Sequence, residues 1–130
     1  MSKYNVQYFD IEKGAPSVTI AEYGISLNMA ATKMIADWKY GKIGYDRNKK
    51  VVLIVPHNND YDITGSFNIK EKVGNKNYLR INSRDLARVI SQYCGVSLTP
   101  SFRCMAEWDE DEKLLVIDPS KVLEINKSEN

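Results

Sequence analysis

Two groups of basic residues have the spacing that phosphate contact needs. Arg84 and Arg88 stand four apart, so on a helix their guanidinium groups leave the same side one turn apart, with Arg80 just ahead of them. Arg47, Lys49 and Lys50 crowd into residues 46–50, where Asp46 and Asn48 are turn formers. Exposed charge of this kind follows the phosphates of a nucleic acid without reading its sequence. The competing reading is solvated surface charge, with Asp85 and Arg88 as a local i,i+3 pair. A third charged run, Asp109-Glu110-Asp111-Glu112 directly after Trp108, has the opposite sign. It repels phosphate on its own side, and with Trp108 it is the candidate contact for a protein partner.

Other chemistry is thinly supplied. The single histidine, His57, is far in sequence from Cys94 and Cys104, so a nucleophile–base pair rests on geometry that the sequence does not give. One histidine and no CxxC argue against a closed zinc site. Asp60-Tyr61-Asp62 beside His57 offers oxygen ligands for a divalent ion or a nuclease-like centre. Its setting, HNNDYDITG over residues 57–65, reads instead as a polar surface loop. Neither GxGxxG nor GxxxxGK[ST] occurs. No catalytic residue, metal ligand or cofactor is assigned.

The elements that position these residues must come from 130 residues, 43% of them hydrophobic and 27% charged, which suits one globular domain. Net charge is +1, too small for a dominant electrostatic grip on nucleic acid. It is unevenly spread, with eight Lys/Arg against five Asp/Glu in residues 1–56 and seven against nine in residues 78–130. The longest apolar run, residues 51–56, is too short for a membrane span. No basic-then-apolar leader is seen, and two cysteines without a paired motif suit a reducing compartment. A cytoplasmic protein with no membrane association is the expectation.

Alternation predicts strands around Val6, Tyr8 and Ile11, then over 17–20 and 25–27. The Tyr4-Tyr8-Phe9 cluster, if it forms an unpaired edge, invites homodimerisation. Asn28 caps a helix over 29–38, with Ala31, Met34, Ile35 and Trp38 on one face and Tyr40-Gly41 ending it. A hairpin follows, 42–45 with 51–55, and Pro56 stops its second arm. Residues 66–69 read as a strand and 70–77 as a turn. A strand at 78–81 leads to Asn82 or Ser83, the cap of a helix over 84–94 whose apolar face is Leu86, Val89, Ile90 and Tyr93, with Gly95 as C-cap. The last hairpin pairs 102–108 with 114–117 and ends at Pro119, before a short helix over 120–125 and a frayed end at 126–130.

This order of parts occurs twice. Ile25-Ser26-Leu27-Asn28 aligns with Leu79-Arg80-Ile81-Asn82, Tyr45-Asp46 with Trp108-Asp109, and residues 52–55 with 114–117. The expected fold is α+β: two tandem strand–helix–hairpin units sharing one core, with two main helices on a mostly antiparallel sheet or small barrel. The units span about 17–56 and 78–118, joined by a linker at 57–77.

A strand, a Gly24-Ile25-Ser26-Leu27 turn, a short helix from Met29, and a hairpin from Gly44-Tyr45-Asp46 into Val52-Leu53-Ile54 resembles the AbrB/MazE/SpoVT swapped-hairpin DNA-binding domains. That resemblance implies two units paired into a barrel-like body, commonly as a homodimer, with basic loops on DNA. The chain departs from it in having Asn28 and Asn82 where that family carries proline, and in lacking arginines on the first helix. The whole layout, with Ala106-Glu107-Trp108-Asp109 in its last hairpin, is also similar to small phage and mobile-element proteins of Gram-positive bacteria. The expected function is non-catalytic binding, of nucleic acid first, through Arg47, Lys49, Lys50, Arg80, Arg84 and Arg88. A module docking on a host or phage protein through Trp108 and residues 109–112 is the alternative, and an enzyme the third reading.

Overall fold

The computed structural model describes residues 3, 4, 6, 8 and 14–125. The chain runs β1 (Ser17–Ala21), β2 (Gly24–Leu27), α1 (Met29–Ile35), β3 (Tyr40–Asp46), β4 (Val51–His57), β5 (Ser66–Asn68), α2 (Ile69–Val73), β6 (Leu79–Asn82), α3 (Arg84–Cys94), β7 (Phe102–Asp109) and β8 (Leu114–Ile125). All eight strands join one curled antiparallel sheet in the order β5-β3-β4-β8-β7-β1-β2-β6.

This overturns the α+β expectation. The molecule is sheet-dominated, 43% strand against 20% helix, and its third, short helix is α2 rather than the one expected over 120–125. The physical reason is that the two halves do not stand as separate units. Their strands interleave: β1, β2 and β4 of the first half pair with β7, β6 and β8 of the second, and the linker strand β5 joins the sheet beside β3. Backbone pairing across the halves, rather than helices laid on two small sheets, joins them.

Register gives that interleaving a regular form. Across β2 and β6, Ile25 lies opposite Ile81 and Leu27 opposite Leu79. Across β4 and β8, Leu53 lies opposite Val116 and Ile54 opposite Leu115. Under the equivalence of Ile25 with Leu79 and of Leu53 with Leu115, each of these pairs maps onto the other pair at its junction. Both junctions are thus self-complementary, like the isologous contact of a two-fold dimer.

The core follows the period of two that the strands show in sequence. Val18 and Ile20, Ile25 and Leu27, Val52 and Ile54, Leu79 and Ile81, and Leu115 and Ile117 all bury their side chains inside the curl. Ala31 and Ile35 of α1 and Ile90 of α3 complete it.

Local differences from the expected elements each have a cause. α1 stops at Ile35, so Trp38 packs from a turn and Tyr40 already belongs to β3. Residues 69–73, expected as the end of a strand and the start of a turn, form α2, because the Asn68 side chain accepts the Glu71 N–H. Pro56 does not end β4, since β8 pairs β4 only over Val52–Ile54 and leaves Pro56 with a single neighbouring strand.

Pro119 does not end β8 either, and the short helix expected beyond it is strand to Ile125. Met105 pairs with Asp118 while Cys104 pairs with Val122, so residues 119–121 bulge out of the ladder. The bulge takes up a residue that has no N–H to give. The strand expected over 1–13 and the frayed end at 126–130 fall largely or wholly outside the described residues. Within the first of these, Tyr4, Val6 and Tyr8 are exposed.

One buried hydroxyl joins distant parts of the chain. Thr32 in α1 accepts the Leu79 N–H of β6 (3.0 Å) and donates to Leu27 O (3.4 Å). Thr32→Val keeps the shape and removes the acceptor, leaving a buried N–H unpaired at a cost of about 2 kcal/mol. Urea unfolding of the variant should show the midpoint fall with an unchanged slope. An unmoved midpoint would show that this bond contributes nothing.

Candidate nucleic-acid interface

The β3–β4 and β7–β8 tips are built alike. In the first, Asp46 Oδ1 accepts the N–H groups of Asn48 (2.9 Å) and Lys49 (3.0 Å). The Lys50 N–H then closes the loop on Asp46 O, with Lys50 at φ 57°. In the second, Asp109 Oδ1 accepts from Asp111 and Glu112, and Lys113 closes the loop at φ 56°. An aspartate that caps its own turn explains both. The side chains carried on the two frames have opposite sign, Arg47-Asn48-Lys49-Lys50 against Glu110-Asp111-Glu112-Lys113. Because β4 and β8 run antiparallel, the tips leave the sheet at opposite ends.

The basic tip does not project alone. Tyr45 stacks on Tyr93 near the end of α3, with ring centroids 4.8 Å apart and planes within 9°. The Arg47 guanidinium lies over the same Tyr93 ring, 4.7 Å from its centroid. Tyr93, read from sequence as part of the apolar helix face, thus docks the first hairpin onto α3. Arg84 and Arg88 are exposed on that helix. A 3.4 Å contact to Asp85 engages Arg88, and at such exposure the pair contributes little. Arg80, on the sheet-edge strand β6, lies over the Tyr23 ring (4.0 Å) and donates from Nε to Asn82 Oδ1 (2.9 Å). The structure therefore joins Arg47, Lys49 and Lys50 to the helix of Arg84 and Arg88, while Arg80 is occupied locally.

The acidic tip is more self-contained. Trp108 stacks against Trp38 with centroids 5.4 Å apart, and its Nε1 donates to Glu110 Oε2 (2.8 Å). Glu110 also takes Lys113, and these two donors hold its carboxyl below the usual range. Asp109 caps the turn, which leaves Asp111 and Glu112 as the exposed acids without a side-chain bond among the described residues.

The remaining sequence candidates are spent on structure. Asp60 is held by Lys39 (3.3 Å) and the Tyr40 hydroxyl (2.8 Å), and Asp62 by Lys42 (2.7 Å). These donors lower both carboxyls, and the hydrogen bond to Asp60 raises Tyr40. His57 accepts the Asn59 N–H at Nδ1 (3.1 Å), so Nε2 carries the proton shared with Ser66 Oγ (2.9 Å). The 57–65 loop is strapped to β3 and β5 by these bonds. Burial raises the Cys94 thiol and pushes Cys104 up to about 12, which keeps both as weakly reactive thiols. Among the described residues no group of three or more His, Cys, Asp or Glu is placed to hold a metal ion. No helix there is long and apolar enough to cross a membrane.

Compared with known proteins, the chain matches no family model, no curated protein and no solved structure.

Proposed function

We propose that the protein is a non-catalytic nucleic-acid-binding protein of phage or mobile-element type, contacting duplex phosphates through the first hairpin tip and α3. The observation that supports this reading is the Tyr45–Tyr93–Arg47 stack. It seats Arg47, on the tip that also carries Lys49 and Lys50, at the C-terminal end of α3, whose first two turns carry Arg84 and Arg88, with the acidic tip at the far end of the sheet. A single basic cluster would be too weak, whereas five cations on joined elements can span successive phosphates.

Five phosphate contacts give a slope of log K against log salt of about −4.5. Affinity for a random-sequence duplex is therefore expected to fall on the order of 500-fold between 50 and 200 mM salt. Neutralising Lys49, Lys50, Arg84 and Arg88 to glutamine should remove most of both the affinity and the slope. Fluorescence anisotropy with a labelled duplex measures it. Absence of binding at the lower salt, or an unchanged slope in the variant, would overturn the reading.

A protein-docking role for the acidic tip has less support, because Trp108 is engaged with Trp38 and Glu110 with Trp108 and Lys113.

A further inference from the structure

A second cationic feature lies away from that face. Between α1 and α2 runs a cleft of two adjoining compartments that share Ala36 and Lys70. The first, about 360 Å³, has an apolar floor that includes Ile69 and Val73, with Lys33, Lys70 and Lys76 around it and no carboxylate. The second, about 480 Å³, is lined by Trp38, Lys39, Tyr40, Asn58 and Asn68, with Asp37 as its one acid. Both volumes fall within the range of small-molecule sites.

Apart from Asp37 and the Asn77 amide, which offers both a donor and an acceptor, the side-chain polar groups left over for a ligand are donors. Lys33, Lys70 and Lys76 form no ion pair among the described residues, and the one described interaction of their ammonium groups is Lys76 over the Tyr78 ring (5.2 Å). Lys39 is neutralised by Asp60. The Oδ1 atoms of Asn58 and Asn68 already accept backbone N–H groups, from Lys39 and Glu71 respectively. Their Nδ2 groups have no partner among the described residues. Thr32 Oγ1 is saturated by Leu27 and Leu79 and offers nothing.

Three ammonium groups without an ion pair among the described residues outweigh the single carboxylate of Asp37. They adjoin a compartment walled by Trp38, whose ring also meets Trp108, by Tyr40, whose ring also meets His57, and by the amide donors of Asn58 and Asn68. A bare anion would not use those walls, and an apolar ligand would leave the lysines without a counter-charge.

We infer that this cleft binds a nucleoside phosphate unit, its phosphate among Lys33, Lys70 and Lys76 and its base in the compartment of Trp38 and Tyr40. The unit comes either from a free nucleotide or from a single-stranded nucleic acid, since both present a phosphate beside a planar base. The site is independent of the duplex-binding face, because none of Arg47, Lys49, Lys50, Arg84 or Arg88 lines it.

The test is titration of the full chain, followed by nitrogen–proton NMR, with adenosine 5′-monophosphate, adenosine, inorganic phosphate, a short oligothymidylate and a polyglutamate peptide. The expected result is saturable shifts at Ala36, Trp38, Asn68 and Lys70 with the nucleotide or the oligonucleotide. Adenosine and phosphate alone should bind at least about tenfold more weakly, because each lacks half of the contact. Response to the oligonucleotide alone assigns the source as single-stranded nucleic acid, and response to both assigns the nucleotide unit itself.

The variant Lys33→Gln/Lys70→Gln/Lys76→Gln should weaken binding tenfold or more while leaving the thermal midpoint and duplex affinity unchanged. The tip-and-helix variant should do the reverse, so failure of one reading is separable from failure of the other. Equal binding by polyglutamate, no saturable shift with either nucleic-acid probe, or full affinity in the triple lysine variant would overturn the inference.

Discussion

Gly24→Ala is expected to remove a large share of the protein's stability. Gly24 opens β2 at φ +138°, a region that side chains rarely enter. A Cβ there would stand 2.1 Å from Ile81 O and 2.8 Å from Ser83 N. Both are backbone atoms, and neither can step aside freely. Gly24 is paired opposite Asn82, and the Ser83 N–H donates to Tyr23 O at 2.7 Å. Relieving the contact means pulling β6 from β2 at one of the two self-complementary junctions.

Backbone strain costs about 1–3 kcal/mol, and lost rungs at the junction add about 1 kcal/mol each. The sum, about 4 kcal/mol, is exceptional for one substitution and a large share of the roughly 5–15 kcal/mol that holds a domain together. Gly65→Ala is the control. It has φ +76° but open space around the new carbon, so it should lose only about 1 kcal/mol. Urea unfolding of both variants decides the matter. A Gly24→Ala protein as stable as Gly65→Ala would mean that the β2–β6 junction yields easily.

Asn28→Ala should cost about 2–4 kcal/mol, more than loss of an ordinary cap. Asn28 Oδ1 accepts the Ala31 N–H (2.9 Å), which is helix capping, typically about 1 kcal/mol. The same oxygen accepts the Ser17 N–H (3.1 Å), and Nδ2 donates to Ala15 O (2.7 Å).

The backbone explains the double duty. The Asn28 N–H makes a ladder bond to Ser17 O, but its carbonyl has turned into the helix to accept Thr32 N–H. The side-chain oxygen replaces that carbonyl in the β ladder. Alanine would leave the N–H of buried Ser17 unpaired, a further cost of about 1–3 kcal/mol. Asn28→Asp keeps both acceptors and sets an oxygen against Ala15 O, so it should fall between alanine and the parent. Chemical denaturation of the three proteins tests the ordering. If Asn28→Ala lost no more than about 0.5 kcal/mol, the replaced-carbonyl account would be wrong.

Asn28 also shows how far the sequence could be read. Its capping role is visible one turn away, because a cap is satisfied by the next three residues. Its second role depends on residue 17 being laid beside it, and no local pattern shows that. Tyr93 is a similar case. Its spacing within α3 marked it as apolar-face, and only the docking of the first hairpin makes it the seat of Tyr45 and Arg47. Trp108, read from the sequence as a candidate contact, is half-buried against Trp38, a neighbour that no local pattern indicates. The lysine cleft left no signal at all, since Lys33, Lys70 and Lys76 are scattered in sequence and only helix placement collects them.

What the sequence determined by itself was local: the alternating apolar positions of the strands, the cap Asn28, a second cap at Asn82 or Ser83, the turn formers of the first tip and the sign of charge on both tips. These depend on contacts within a few residues, so chain order alone carries them. The tertiary structure decided which strand lies beside which, and with it the dominance of sheet over helix. It also placed a proline bulge inside β8 and seated a basic tip on α3. Partner choice among strands is settled by burial summed over the whole core, where residues far apart in sequence compete for the same neighbours. That sum is a property of the folded chain, and no window of the sequence contains it.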